Sequence, residues 1–218
     1  MKNIRIFGDS VLKGVTYVDG GYHICKDKIK IESSDFCNFS KMGATTETAL
    51  QIIDRKIDRC DENTIAVLEF GGNDCNYDWS KISDEPDKKY DCTVIPEKYT
   101  ENFNNAVKKL KAKGATVIIS SLMPISANKF MNFISNGLSY SNILKWLGEV
   151  EALSRWQSYY NDLALSVAKE NGCMLLPLRE NMEKYDYEEL LCADGIHPTE
   201  EGHKVIHRFL ENYLLSLI

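Results

Sequence analysis

The sequence predicts an α/β protein: a parallel sheet with helices packed on both of its faces. Three observations predict it. Short apolar segments such as "TIAVLEF" (64–70) and "ATVIISSLMP" (115–124) are β-branched and nearly continuous, as strands buried on both faces are. Between them lie stretches with apolar residues at helical spacing, so strand and helix alternate along the chain. Glycines at 114 and 172 follow two of these stretches, where a helix commonly ends in the left-handed conformation.

The elements follow in order. Residues 2–7 read as a first strand that stops at Gly8-Asp9-Ser10. A loop-rich, hairpin-like stretch runs from 17 to 31, and 35–40 is a short second strand. Residues 46–60 form a helix with Ala49, Ile52, Ile53 and Ile57 on one face. The third strand, 64–70, leads through a long polar loop to an amphipathic helix at 96–113, with Phe103, Val107 and Leu110 inward. The fourth strand is followed by a long helical tract ending at Asn171-Gly172, then the short strand "CMLLPL" (173–178). A last helix follows Pro198, with Val205, Ile206, Phe209, Leu210 and Tyr213 on its inner face. No repeat, low-complexity tract or linker interrupts the 218 residues. One domain over 1–218 is expected, carrying a loop insertion at about 75–98 and a helical segment at about 126–160.

A net charge of −6 and a pI near 5.3 argue against a nucleic-acid or anionic-membrane surface, which needs an excess of Lys and Arg. No apolar run approaches the roughly 18–20 residues of a membrane span. The start of the chain lacks the basic-then-apolar pattern of a secretory signal. The seven cysteines are scattered, with no C-x-x-C pair, and read as reduced thiols in a cytoplasmic protein. Cys75 and Cys92 flank one loop and would pair only if the protein were exported.

In parallel α/β sheets, ligands bind outside the carboxyl ends of the strands. Ser10 follows the first strand, Gly43 the second, and Asn73 the third, beyond a glycine pair that lets the backbone turn tightly. Asp194 stands three residues before His197, just ahead of the last helix. These are the parts acyl transfer requires. A serine hydroxyl needs a base, and imidazole has the right basicity near neutral pH. The imidazole needs a carboxylate to hold its tautomer. The tetrahedral oxyanion needs waiting donors, here the amides of Ser10 and Gly43 and the Asn73 carboxamide.

Taken together, "GDS", a glycine in the second block, "GGND" and "DGIH" before a terminal helix resemble the SGNH, or GDSL-type, hydrolases. The resemblance spans essentially the whole chain, with Val11 where leucine commonly follows the serine. It implies a three-layer α/β/α sandwich on a flavodoxin-like five-stranded parallel sheet. It also implies Ser10 as nucleophile, His197 as base, Asp194 as its orienter, and Ser10, Gly43 and Asn73 as the oxyanion hole, with no cofactor and no metal. The activity implied is hydrolysis of a small-molecule acyl ester through an acyl-enzyme. The acidic chain favours small water-soluble esters, acetylated sugars among them. A lysophospholipase, a thioesterase, a transacylase and a catalytically silent carbohydrate-binding relative stay open at this point.

Further residues carry expectations. Asp74, Tyr77 and Trp79, next to Asn73, are candidates to face the substrate, with a solvated loop as the alternative for the two aromatics. The aromatics of 126–160, among them Phe130, Trp146 and Trp156, fit a core, with a lid over the strand ends as the alternative. Arg5 and Glu69 lie inside adjacent central strands and are expected to pair beneath the site, since a buried lone charge is too costly. Glu200, His203 and His207 have a spacing that can ligate a metal. The expectation instead is a solvated helical face.

Overall fold

Residues 2–29, 31 and 35–217 are described by the structure, a computed structural model. Asn3–Gly8 (β1) leads into one helical turn, Ser10–Lys13 (α1), and an antiparallel hairpin of Val15–Val18 (β2) and Gly21–Ile24 (β3). Asp35–Asn38 (β4), Thr46–Lys56 (α2), Thr64–Glu69 (β5), Trp79–Asp84 (α3), Pro96–Ala112 (α4) and Thr116–Ser120 (β6) follow. Then come Ala127–Ile134 (α5), Tyr140–Leu147 (α6), Ala152–Glu170 (α7), Met174–Leu176 (β7), Leu178–Met182 (α8) and Glu200–Leu215 (α9).

The five-stranded sheet runs β4-β1-β5-β6-β7, every pair parallel. This is the flavodoxin-like order, and the order of strands reverses between β1 and β5, where open α/β sheets bind ligands. Alternation along the strands builds the two cores. Phe7, Ala66 and Leu68 meet α2, α4 and α7 on one face. Ile4, Ile6, Ile65 and Val67 meet α8 and α9 on the other. A third cluster stands apart from the sheet: Ile82 of α3 packs with Ala127, Met131, Ile143 and Leu153 from the start of α5 to the start of α7. The inserted loop and the helical segment therefore share a small core of their own above the strand ends.

Several expectations change. The helix from Thr46 ends at Lys56 and tightens into a 3-10 turn, Ile57–Arg59. The helical tract after β6 is divided into three helices, α5, α6 and α7. Ser139 caps α6 by accepting from the Asn142 amide, and Gly148, at φ +82°, ends it.

Arg5 and Glu69 do not pair. Arg5 stands opposite Ala66 and Gly8 opposite Glu69, so the two side chains are three residues apart along the strands and point to opposite faces. Arg5 instead binds the Asp35 carboxylate at 2.5 Å and its carbonyl at 2.6 Å, and donates to the Arg59 carbonyl. All seven cysteines are free, Cys75 and Cys92 included. Among the described residues, no helix is long and apolar enough to cross a membrane.

Candidate active site

β1 is buried along nearly its whole length and delivers the chain to Asp9, whose side chain caps α1 by accepting from the Val11 amide at 2.9 Å. Ser10 is thereby the first residue of a helical turn, at the carboxyl edge of the sheet. Opposite it, residues 190–199 close on themselves: Cys192 donates to the His197 carbonyl, and Thr199 to that of Leu190. Inside this closed loop, Asp194 Oδ1 accepts from the amides of Ile196 and His197. Its other oxygen lies 2.6 Å from His197 Nδ1, and His197 Nε2 lies 2.9 Å from Ser10 Oγ. A carboxylate only accepts, so Asp194 fixes the proton on Nδ1 and leaves Nε2 to accept from the serine. Asp194 is fully buried, and His197 and Ser10 nearly so, which strengthens each of these contacts.

The hairpin covers this pair. The Tyr22 ring meets the His197 ring edge-on at 5.2 Å, and Tyr17 meets Phe133 of α5 at 5.3 Å. Neither contact has a local signal in the sequence, because each joins segments far apart in the chain.

The loop after β4 lies against the end of β1, with the Lys41 amide donating to the Gly8 carbonyl at 3.0 Å. Gly43 adopts φ +71° there, a conformation that favours glycine. Among the described residues, the backbone amides of Ser10 and Gly43 donate to no protein acceptor. Asn73 donates from Nδ2 to Asp9 Oδ2 and to the Ala44 carbonyl, both at 3.1 Å, and so joins the Gly43 loop to the Ser10 loop.

Beneath Asn73 lie three buried carboxyl groups, Asp9, Glu69 and Asp74. Burial is the first cause pushing all three above the usual carboxylate range. The hydrogen bond to Val11 and the His197 charge pull Asp9 back, while the neighbouring Asp9 pushes Glu69 further up. The contact between the two side chains pulls Asp9 down and pushes Glu69 up, so Glu69 is the one shifted well above the usual range.

From Ser10 and His197 a cavity of about 350 Å³ opens toward the inserted segments. Tyr77 and Trp79 line it, with Trp146, Trp156 and Phe130 from the helical segment. The other aromatics of the segment are placed differently: Tyr160 belongs to the main core and Tyr159 is exposed.

Residues 6–205 match the GDSL-like lipase/acylhydrolase family. The chain belongs to this family. As a GDSL-like acylhydrolase, it is an ester hydrolase by class. Its fold is similar to that of the lipase/acylhydrolase from Enterococcus faecalis, at a TM-score of 0.61 and 16% identity over 98% of this chain and 95% of that one. It is likewise similar to a member of the lipolytic G-D-S-L family from Veillonella parvula (TM-score 0.64, 17% identity, 97% of both chains). An acetyl xylan esterase shares the fold at a TM-score of 0.61 and 15% identity, over 97% of this chain and 99% of that one. No curated protein sequence matches.

Two expected roles do not hold in this GDSL-like hydrolase. Asp74 is fully buried and off the cavity wall. Its Oδ1 instead accepts from the Thr46 amide and hydroxyl at 2.9 and 2.6 Å, tying the GGND turn to the start of α2. His203 and His207 are also buried rather than solvated. The hairpin and its following loop cover that face of α9. Val15 supplies a carbonyl 2.8 Å from His203 Nε2, and Asp27 a carboxylate 2.8 Å from His207 Nδ1. Glu200 is taken by the Cys25 thiol at 3.0 Å. Among the described residues, no cluster of three His, Cys, Asp or Glu side chains could hold a metal ion.

Proposed function

We propose that this GDSL-like hydrolase cleaves small-molecule acyl esters by a serine mechanism with a covalent acyl-enzyme. The observation that carries the reading is the unbroken line from Asp194 through His197 to Ser10, at 2.6 and 2.9 Å. Ser10 Oγ attacks the ester carbonyl as His197 Nε2 takes its proton, and Asp194 stabilises the imidazolium that forms. The tetrahedral intermediate collapses, the proton passes from His197 to the departing alcohol, and an acyl-serine remains. His197 then deprotonates a water that attacks the acyl-serine, and the acid leaves.

The oxyanion is met by the amides of Ser10 and Gly43 and by Asn73. Both Asn73 amide hydrogens are engaged in the resting site. The one on the neutral Ala44 carbonyl is the one an oxyanion draws away, because a charged acceptor makes the stronger bond. Asp9 retains the other and keeps the carboxamide aimed.

Steady-state hydrolysis of p-nitrophenyl butyrate tests this reading. Ser10→Ala and His197→Ala are each expected to lower kcat by at least about 10³-fold. A folded Ser10→Ala variant that keeps a tenth of the native rate would overturn the assignment.

A further inference from the structure

We propose that the cavity beside Ser10 is an acyl-chain pocket selecting an unbranched apolar acyl group of about six to ten carbons. This rests on the ester-hydrolase reading and extends it to a substrate class. Size is the first argument. The cavity measures about 350 Å³, and a methylene fills about the volume of a water in the liquid, roughly 30 Å³. An acetyl group would leave most of that space without a partner.

The chemistry of the wall is the second argument. Trp79, Trp146 and Trp156 come from the two inserted segments and surround Tyr77, whose ring centroid lies 5.6, 4.9 and 6.0 Å from theirs. Every indole N–H is already used by the protein. Trp79 donates to Asn76 Oδ1, Trp146 to the Lys88 carbonyl and Trp156 to the Cys75 carbonyl, all at 2.9–3.0 Å. The carboxamide of Gln157 is likewise bound, donating to the Met123 carbonyl and accepting from Arg179. The indoles therefore offer carbon faces; away from Ser10 and the buried Asp9 and Glu69 beside it, the polar groups left on the wall are the Tyr77 hydroxyl and the Asn76 amide. The hydroxyls of a sugar would give up water here with few partners in exchange, which is costly. An alkyl chain loses nothing of the kind.

The course of the reaction decides between the two halves of an ester. The alcohol leaves after the first step, while the acyl group stays bound to Ser10 until water arrives. A mainly apolar pocket suits the part that stays. A pocket for the alcohol would have to empty before the second step.

The test is kcat/KM for p-nitrophenyl esters from acetate to palmitate, with the alcohol held constant. The value should rise about two- to fourfold per methylene up to octanoate and fall again by palmitate. A flat series, or one highest at acetate, overturns the proposal. Ala152→Phe, on the wall at the start of α7, should lower the octanoate-to-acetate ratio at least tenfold. An unchanged ratio in a folded variant counts against it. Binding to Ser10→Ala separates this inference from the catalytic one, because no turnover is needed. Methyl octanoate should change tryptophan emission at concentrations where methyl acetate does not. Absence of a difference overturns the pocket even if the native protein hydrolyses esters, whereas a difference supports it even if Ser10 is not the nucleophile.

Discussion

Asn73 Nδ2 lies 3.1 Å from Asp9 Oδ2, so the residue ahead of the proposed nucleophile braces the proposed oxyanion donor. The other oxygen of Asp9 holds the Val11 amide at 2.9 Å, just past Ser10. One side chain thus fixes the loops of Ser10 and Asn73 relative to each other. Asn73→Ala is expected to lower kcat about 10²- to 10³-fold with little change in KM, as loss of a transition-state donor does. Steady-state kinetics check this, and a rise in KM at constant kcat would place Asn73 in ground-state binding instead.

Gly195 links the helical segment to the proposed triad. It has φ +73°, and a Cβ there would lie 2.5 Å from the Phe130 nitrogen and 2.7 Å from the Ser126 carbonyl oxygen. Backbone cannot yield as a flexible side chain does. Gly195→Ala is expected to destabilise the fold by at least about 2 kcal/mol and to lower kcat by displacing Asp194 and His197. Gly20, at φ +77° with open space around it, is the control. Gly20→Ala should cost only about 1 kcal/mol in the same denaturant titration. Equal costs would show that the close approach to α5 is not maintained in solution.

Asp74 sets a pH dependence of stability. Burial, its leading cause, raises the carboxyl from 3.8 to about 6. The folded state therefore holds the proton more tightly than the unfolded chain. Its stabilising contribution is complete below 3.8 and is lost as pH rises through 6, by about 3 kcal/mol in all. His203 acts in the opposite sense: burial lowers it from 6.5 to about 4, so its contribution is lost as pH falls through that range. The two trends overlap in the native protein, and a difference measurement separates them. The stability of Asp74→Asn relative to the native chain should improve by about 2 kcal/mol between pH 4 and pH 7.5, read by chemical denaturation at each pH. A constant difference would mean that Asp74 is not held in a buried, desolvated site.

The sheet was legible because a strand buried on both faces is written in its own residues, as in "TIAVLEF". The loops at the strand ends were legible for the same local reason: Gly8-Asp9-Ser10 and Gly72-Asn73 stop apolar runs with residues that turn. What was not legible is non-local. The partner of Arg5 depends on strand register, and a shift of one residue exchanges the two faces of the sheet. The burial of His203 and His207 depends on a hairpin nearly 190 residues away in the chain, whose Val15 supplies the carbonyl on His203. Asp74 follows Asn73 directly, yet the turn sends one side chain to the cavity and the other to Thr46. Which tryptophans face the cavity rests on the packing of two separate segments, which no single periodicity records.

Reaction of the native protein with a fluorophosphonate probe, followed by peptide mass mapping, bears most directly on the assignment of Ser10 as nucleophile. The account predicts one adduct per chain, located on Ser10 and lost in His197→Ala. An adduct on a different residue, or none on a folded protein that hydrolyses esters, would contradict it.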